Sequence, residues 1–182
     1  VLSSSNVNHR GITYGNGKYI IVGSTIQISS DGMTWSGVKS GNSWNNFYDV
    51  DYGNNEYITV GGNQYLFSLG GISWEQSLTS GGGNTYGITF GNNHWVLVGN
   101  RIMDGPDTSS GYVIWSSSSY GDIQSDTLNG VTFGNNIFVT VGENGRILTS
   151  SNGSTWTSRT SGTGEIINNV ASGKGIFVAT GN

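Results

Sequence analysis

One short phrase recurs five times along this chain of 182 residues. Each copy has a glycine, two turn-forming residues, and a run of aromatic and aliphatic residues that ends in a second glycine. The copies are YGNGKYIIVG, YGNNEYITVG, FGNNHWVLVG, FGNNIFVTVG and SGKGIFVATG, and their first glycines are spaced by 38, 38, 43 and 39 residues. A period of this size predicts a repeat architecture, in which each unit buries its apolar surface against its neighbours.

Each phrase has the pattern of a β-hairpin. The two turn residues are mostly Asn or Gly, which tolerate the positive φ angles of a tight two-residue turn. The strand after the turn is apolar on both faces, which predicts burial between two layers. In the first and fourth copies a third strand follows, at 25–30 and 146–151, and a fourth strand is expected to end at Trp35 and Trp156. No helical periodicity separates the copies, so the sequence predicts an all-β protein.

Four strands in about 40 residues, repeated in tandem, are typical of the blades of a β-propeller. We therefore predict a single domain over residues 1–182, a five-bladed β-propeller whose repeats begin near residues 11, 48, 86, 129 and 167. The alternative architecture is an open solenoid, which is less favoured because the end caps that a solenoid needs are missing.

The last copy ends after its second strand, so the ring needs a further strand to close. Residues 1–5 read VLSSS and are similar to the third-strand segments IQISS and ILTSS. We expect residues 1–5 to pair beside the C-terminal hairpin and complete the last blade, because this pairing would remove an open sheet edge. The alternatives are a missing strand that lies outside these residues or one that another chain supplies.

Two segments resemble a motif of a known family. SSDGMTW (29–35) and SSNGSTW (150–156) resemble the Asp-box of sialidase-type propellers, S-x-D-x-G-x-T-W, and LGGISW (69–74) is a weaker version. The repeats around them are similar to bacterial propeller repeats called BNR-like, over nearly the whole chain. The sequence departs from the motif because no residue separates Asp31 from Gly32 and because Asn152 replaces the aspartate. The resemblance implies a propeller fold in which the motif forms a structural turn at the blade periphery.

Composition excludes several classes of function. Charged residues make up 10% of the chain, the net charge is −4, and the seven basic residues are scattered, so nucleic-acid binding is not expected. No apolar run has the length of a membrane span, so membrane insertion is not expected either. The chain has no cysteine, and its two histidines, His9 and His94, are far apart in sequence. Disulfides and cysteine-type zinc sites are therefore excluded.

The candidate ligand-binding residues are Trp44, Asn45, Asp49 and Asp51. Trp44 and Asn45 lie in a connection without a counterpart in the other copies, and an aromatic residue beside amides can stack on a sugar ring. Asp49 and Asp51 lie on the first strand of the second repeat, where they would make a central channel mildly acidic. The competing interpretations are a tryptophan folded back on its own blade and a channel that holds only water.

A weak metal site is predicted in the long insertion of the third repeat, NRIMDGPDTSSG (100–111). Asp104 and Asp107 are close in sequence there and could contribute to calcium binding, although they supply fewer ligands than an established calcium loop. The competing interpretation is a solvated loop. No other cofactor is expected.

The predicted function is a non-catalytic, lectin-like binding module. A sialidase would need a cluster of arginines, and the four arginines here do not share an equivalent position in the repeats. The abundant Ser, Thr, Asn and Gly favour recognition of neutral hydroxyls, so the expected partner is a glycan or a protein ligand, and the expected location is extracellular or on a cell or virion surface. The alternative is a structural scaffold that forms oligomers. A glycoside-acting enzyme is the least favoured.

Overall fold

The structure, a computed structural model, describes residues 7–40, 46–78, 83–106, 113–118 and 126–182. Within these ranges the chain forms five antiparallel sheets, numbered here 1 to 5 in chain order. Within each sheet, strands that are consecutive in sequence pair with each other. Sheets 1 to 4 have four strands each, and sheet 5 has two. In the described part of the chain, no helix has the length and apolar character needed to cross a membrane.

The strands are named β1 to β18 in chain order. Sheet 1 contains β1 (His9–Gly15), β2 (Lys18–Gly23), β3 (Thr25–Ser29) and β4 (Ser36–Ser40). Sheet 2 contains β5 (Asp49–Gly53), β6 (Glu56–Gly61), β7 (Gln64–Ser68) and β8 (Glu75–Leu78). Sheet 3 contains β9 (Thr85–Gly91), β10 (His94–Gly99), β11 (Ile102–Pro106) and β12 (Ser116–Ser117). Sheet 4 contains β13 (Leu128–Gly134), β14 (Ile137–Gly142), β15 (Ile147–Ser150) and β16 (Thr157–Arg159), and sheet 5 contains β17 (Ile167–Gly173) and β18 (Ile176–Gly181).

The first two strands of every sheet are joined by the tight turn that the repeated phrase predicts. Both turn residues have positive φ in each copy, as at Asn16 (44°) and Gly17 (74°). The last copy places a lysine in the same conformation, with φ of 49° at Lys174. The hairpin prediction is confirmed, and the asparagines are explained by the left-handed backbone that the turn requires.

The prediction that a fourth strand ends at Trp35 and Trp156 is wrong. Both tryptophans precede the fourth strand, and the residues before them form a turn. Each indole Nε1 donates a hydrogen bond to the glycine carbonyl three residues earlier, at 3.2 Å for Trp35 and 2.7 Å for Trp156. Trp74 makes the same bond at 3.0 Å in sheet 2. The tryptophans therefore close the turn that leads into the outermost strand.

The side chain of Asp31 explains why this segment turns. Its Oδ1 accepts hydrogen bonds from the backbone N–H groups of Met33 (2.8 Å) and Thr34 (2.7 Å), and these bonds hold the pKa of Asp31 well below its usual range. In sheet 4 the Oδ1 of Asn152 accepts the two equivalent bonds. Bonds from a short polar side chain to nearby backbone compete with an extended strand, so the chain turns here.

Neighbouring sheets pack face to face through one repeated arrangement. We call the side of a sheet that meets the next sheet in chain order its forward face, and the opposite side its backward face. Between sheets 1 and 2, Ile20 and Val22 on the forward face pack with Val50 and Tyr57 on the backward face. Equivalent clusters join sheets 2 and 3, 3 and 4, and 4 and 5. The core therefore lies between the sheets, as the strands that are apolar on both faces predict.

A glycine at the end of each first strand allows this close approach. A Cβ added at Gly15 would overlap the ring of Tyr52 in sheet 2. Gly53 stands in the same relation to Phe90, and Gly91 to the aromatic ring of the fourth sheet. Only a residue without a side chain fits under these rings, so glycine is required by packing here and not by backbone conformation.

The two end faces of the array are open among the described residues. Ile12 and Tyr14 on the backward face of sheet 1 are 59% and 58% exposed, whereas Val50, the equivalent of Ile12 in sheet 2, is 3% exposed. Val178 on the forward face of sheet 5 is 54% exposed. The predicted closure by residues 1–5 lies outside the described residues, and it stays a prediction.

Replacing Gly53 by Ala is expected to lower the free energy of unfolding by about 1–3 kcal/mol, because the new methyl group would overlap the ring of Phe90. The matched control is Gly173→Ala at the equivalent position of sheet 5, where no described heavy atom lies within 4 Å of the added carbon. Urea unfolding followed by tryptophan fluorescence measures both variants. Equal losses in the two variants would contradict the packing role of Gly53.

Replacing Lys174 by Asn is expected to raise the free energy of unfolding by about 0.5–1 kcal/mol, because Asn tolerates the left-handed conformation better than Lys. The control Lys174→Ala removes the same charge without relieving the backbone and should give no gain. Thermal unfolding of the three proteins tests this, and a gain in the alanine variant would assign the effect to charge instead.

Candidate functional site

Residues on or next to the first strands of the five sheets line a cavity of about 470 Å³. Residues from every sheet contribute to its wall, which is mostly polar. Asp51, Thr89 and Thr132 lie on this wall, as expected from their equivalent positions in three repeats. The cavity is the concave feature to which all the repeats contribute, and such positions are where ligands commonly bind.

Two half-buried carboxylates join the inner strands of sheets 1 to 3. Asp51 accepts hydrogen bonds from the hydroxyls of Thr13 (3.3 Å) and Thr89 (3.2 Å) and from the N–H of Phe90 (2.9 Å). Asp49 accepts bonds from the N–H groups of Val50 (2.9 Å) and Ile88 (3.0 Å). All of these bonds except the one from Val50 cross from one sheet to the next, so both aspartates fix the arrangement of the inner strands.

Burial dominates the acidity of these two groups. Removal from water raises the pKa of Asp49 to about 7, although the N–H bonds from Ile88 and Val50 oppose the shift. Burial also raises the pKa of Asp51, again opposed by its hydrogen bonds. The inner wall therefore holds an acid that is protonated in part near neutral pH.

A ring of five residues, one from each repeat, lies at the mouth of the cavity. Each occupies the position directly before Gly11 or before the residue equivalent to Gly11 in its own repeat. We call this set the rim ring: Arg10, Tyr48, Tyr86, Asn129 and Asn168. Four of them are β-bulge residues. In sheet 1, for example, His9 pairs with Gly23 and Gly11 pairs with Val22, so Arg10 is left without a partner in the register. A bulge re-aims a side chain, and bulges are common next to functional sites.

The rim ring combines one cation, two phenols and two amides. The guanidinium carbon of Arg10 lies 4.5 Å from the centre of the Tyr48 ring, and the Tyr48 and Tyr86 rings meet edge to face at 5.0 Å. On the other side, the Asn129 amide donates to a backbone carbonyl of sheet 5 at 3.1 Å. These contacts orient the side chains, while Arg10 and Asn168 remain exposed to solvent. The mouth can therefore offer hydrogen bonds, an aromatic surface and a positive charge to one ligand.

The structure brings together only part of the predicted ligand site. Asp49 and Asp51 lie on the cavity wall, below the rim ring. Trp44 and Asn45 lie outside the described residues. The ligand-binding roles of all four stay predictions, and the described bonds give the two aspartates a structural role in addition.

Asp104, half of the predicted calcium site, is buried and joins sheets 3 and 4. It accepts hydrogen bonds from the hydroxyls of Ser118 (2.9 Å) and Ser154 (2.5 Å). Asp107 lies outside the described residues. The described residues contain no group of three or more His, Cys, Asp or Glu side chains that could hold a metal ion. Asp104 is better explained by the outer turn that it holds through Ser154.

The sequence analysis missed the rim ring, although the repeats contain a signal for it. Comparing one position across the five copies gives Arg, Tyr, Tyr, Asn and Asn, whereas the core position two residues later is Ile or Val in every copy. The residue type at this position differs between the copies although its place in the repeat is the same, which indicates that core packing does not restrict the residue type there. The bulge that turns it toward the cavity depends on the pairing register, which the copies do not reveal by themselves.

Comparisons with known proteins identify the fold class. No family model and no curated protein sequence matches the chain. Among solved structures, it is similar to streptogramin B lyase, with a TM-score of 0.76 and 18% identity over 95% of this chain and 61% of that chain. It is also similar to YCF48 from Cyanidioschyzon merolae, with a TM-score of 0.66 and 18% identity over 94% of this chain and 61% of that chain.

These similarities show the β-propeller repeat fold. The chain spans about three fifths of the length of each of these structures. A sialidase-type or BNR-like identity is not confirmed by any family match. The fold class that the repeats predict is therefore established without a family assignment.

The prediction that the chain is not an enzyme is contradicted by the first of these similarities. Streptogramin B lyase is an enzyme with this fold, so the fold is compatible with catalysis. The lack of a sialidase-type arginine cluster in the sequence bears on one class of enzyme only. At 18% identity the similarity establishes the fold, and it assigns no reaction to this chain.

The stability of the protein is expected to fall as the pH rises from about 4 to 7. Below that range Asp49 is protonated in both the folded and the unfolded chain, but within it only the unfolded chain releases the proton. Asp49 therefore contributes a slope of at most about 1.4 kcal/mol per pH unit, and Asp51 acts in the same direction. Urea unfolding at several pH values measures this slope.

Asp49→Asn should reduce the slope, since Asn cannot ionise, and the slope that is left belongs to Asp51. Asn169 occupies the equivalent position in sheet 5 and accepts the same backbone bond, from Val170, so the substitution is compatible with the strand. Asp126→Asn is the control, because the Arg146 side chain lowers the pKa of Asp126 and its titration falls below this window. An unchanged slope in Asp49→Asn would contradict the assignment.

Proposed function

We propose that this protein is a β-propeller domain that binds a hydroxyl-rich ligand of carbohydrate type at the mouth of its central cavity. The observation that carries the proposal is the rim ring, in which one variable side chain per repeat lines the same opening and four of the five lie at bulges. The core positions of the repeats are explained by packing, whereas the rim residues differ from copy to copy.

The chemistry of the rim ring fits a sugar that bears an acidic group. The amides of Asn129 and Asn168 and the hydroxyls of Tyr48 and Tyr86 can exchange hydrogen bonds with sugar hydroxyls. Arg10 supplies a guanidinium group that can form paired hydrogen bonds with a carboxylate. The packing of Arg10 on Tyr48 holds this group near the opening, which reduces the ordering cost of binding.

We interpret the five sheets as five successive blades around this cavity, because the first strand of each contributes to its wall. An extracellular or surface location is part of the same proposal and rests on the low charge and the absence of cysteine. Assembly into a scaffold, the alternative function, is supported only by the exposed end faces of the described residues.

Binding of an acidic sugar, such as glucuronic acid, and of neutral glucose should be measured by calorimetry on the full chain. We expect tighter binding of the acidic sugar, and Arg10→Gln should weaken it roughly tenfold or more, because a charge-assisted hydrogen bond is lost. Glucose binding should change less. Arg159→Gln is the matched control, since Arg159 lies on β16 at the outer edge of sheet 4.

The proposal would be overturned if neither sugar bound, or if both arginine variants weakened binding equally. Because the fold also occurs in an enzyme, the sugars should be recovered after incubation and analysed for products. A product that forms with the wild-type chain and is lost in Arg10→Gln would place chemistry at the same mouth.

A further inference from the structure

The four internal interfaces of the array use the same pair of surfaces. A forward face presents a glycine and an aliphatic residue, as Gly15 and Ile20 do in sheet 1. The backward face that meets it presents an aliphatic residue and, in three of the four cases, an aromatic ring, as Val50 and Tyr52 do in sheet 2. The same interface is therefore repeated along the array. We call the glycine and aliphatic residue of the forward face the socket, and the aliphatic residue and ring of the backward face the insert.

The forward face of sheet 5 carries the same socket without an insert. Gly173 is equivalent to Gly15, and no described heavy atom lies within 4 Å of a Cβ added there. Val178 is equivalent to Ile20, yet Val178 is 54% exposed and Ile20 is fully buried. Ile176 on the same strand is 61% exposed. An apolar strand with this much exposure is expected to have a partner surface.

We propose that the forward face of sheet 5 is an interface that binds a sixth blade of the same repeat, next in order. The insert that fits it is a first strand with an aliphatic residue and an aromatic residue two positions apart, as in Val50 and Tyr52. The ring lies on Gly173, and the aliphatic side chain packs against Val178. The interface continues the contact that the array already makes between each pair of sheets.

The continuity of the array favours a further blade over a second copy of the whole chain. Each of the four internal interfaces joins one repeat to the next repeat in chain order, and the forward face of sheet 5 carries the same kinds of residue at equivalent positions. The two similar solved structures also extend beyond the aligned region, which leaves room for more blades in this fold.

A single thiol can report whether this face is covered, because the chain has no cysteine. Val178→Cys in the 182-residue chain should react rapidly with a maleimide. The same variant is then extended after Asn182 by a copy of residues 63–99, which continues the repeat in phase because Gly181 and Gly61 are equivalent. This extension completes the fifth blade and supplies a hairpin that carries the ring of Phe90.

The reaction rate of the thiol is expected to fall roughly tenfold or more in the extended chain, because a buried thiol reacts only when the interface opens. Gly173→Val in the extended chain should restore the fast rate, since its side chain would occupy the place of the incoming ring. In the unextended chain Gly173→Val should leave the rate and the circular dichroism spectrum unchanged, because the site is open there.

A second extended chain keeps the test informative if the first extension does not fold. It uses a copy of residues 101–142, which continues the same phase and carries Phe133 as the insert. A fast thiol in both extended chains would overturn the proposal, as would protection that survives Gly173→Val. Protection in the unextended chain that increases with concentration, together with a doubled mass in sedimentation, would assign the face to a second copy and also overturn it.

Discussion

The contact between a glycine on one sheet and a large side chain on the next is the constraint on which the rest of this structure depends. Gly15, Gly53 and Gly91 each lie under an aromatic ring, and a methyl group at any of them would overlap that ring. Because the sheets can approach closely at their inner edge, their first strands converge. The convergence creates both the packed layers between the sheets and the cavity that the first strands surround.

Convergence also explains why polar groups occur where five strands meet. Neighbouring first strands lie close enough there for hydroxyls and carboxylates to bond from one sheet to the next. Asp51 bonds to groups of sheets 1 and 3 from its place in sheet 2, and Asp49 reaches the backbone of sheet 3. These acids are held by their own neighbours, and the ligand contacts that we propose are made by the rim residues above them.

Errors in the sequence reasoning arose where side chains redirect the backbone. The motif around Asp31 predicts a strand when its Thr and Trp are considered alone, but the carboxylate bonds to two N–H groups and forms a turn instead. The repeat pattern predicts a surface loop at Asp104, whereas this residue lies on β11 and is buried against Ser154 of the next sheet. Its role in calcium binding stays a prediction. A contact between repeats cannot be inferred from spacing within one repeat.

The sequence by itself determined the all-β class, the five hairpins and their turn residues, because these depend on local backbone conformation and on a pattern that recurs. It also predicted burial on both faces for the strands after each turn, which holds for β6, β10 and β14 but not for β18. Only the tertiary structure decided which side chains share the cavity mouth, since the bulge at Arg10 follows from the pairing register of β1 with β2. It also decided that the faces bearing Ile12 and Val178 are exposed, because the burial of a repeated face depends on the neighbour it meets.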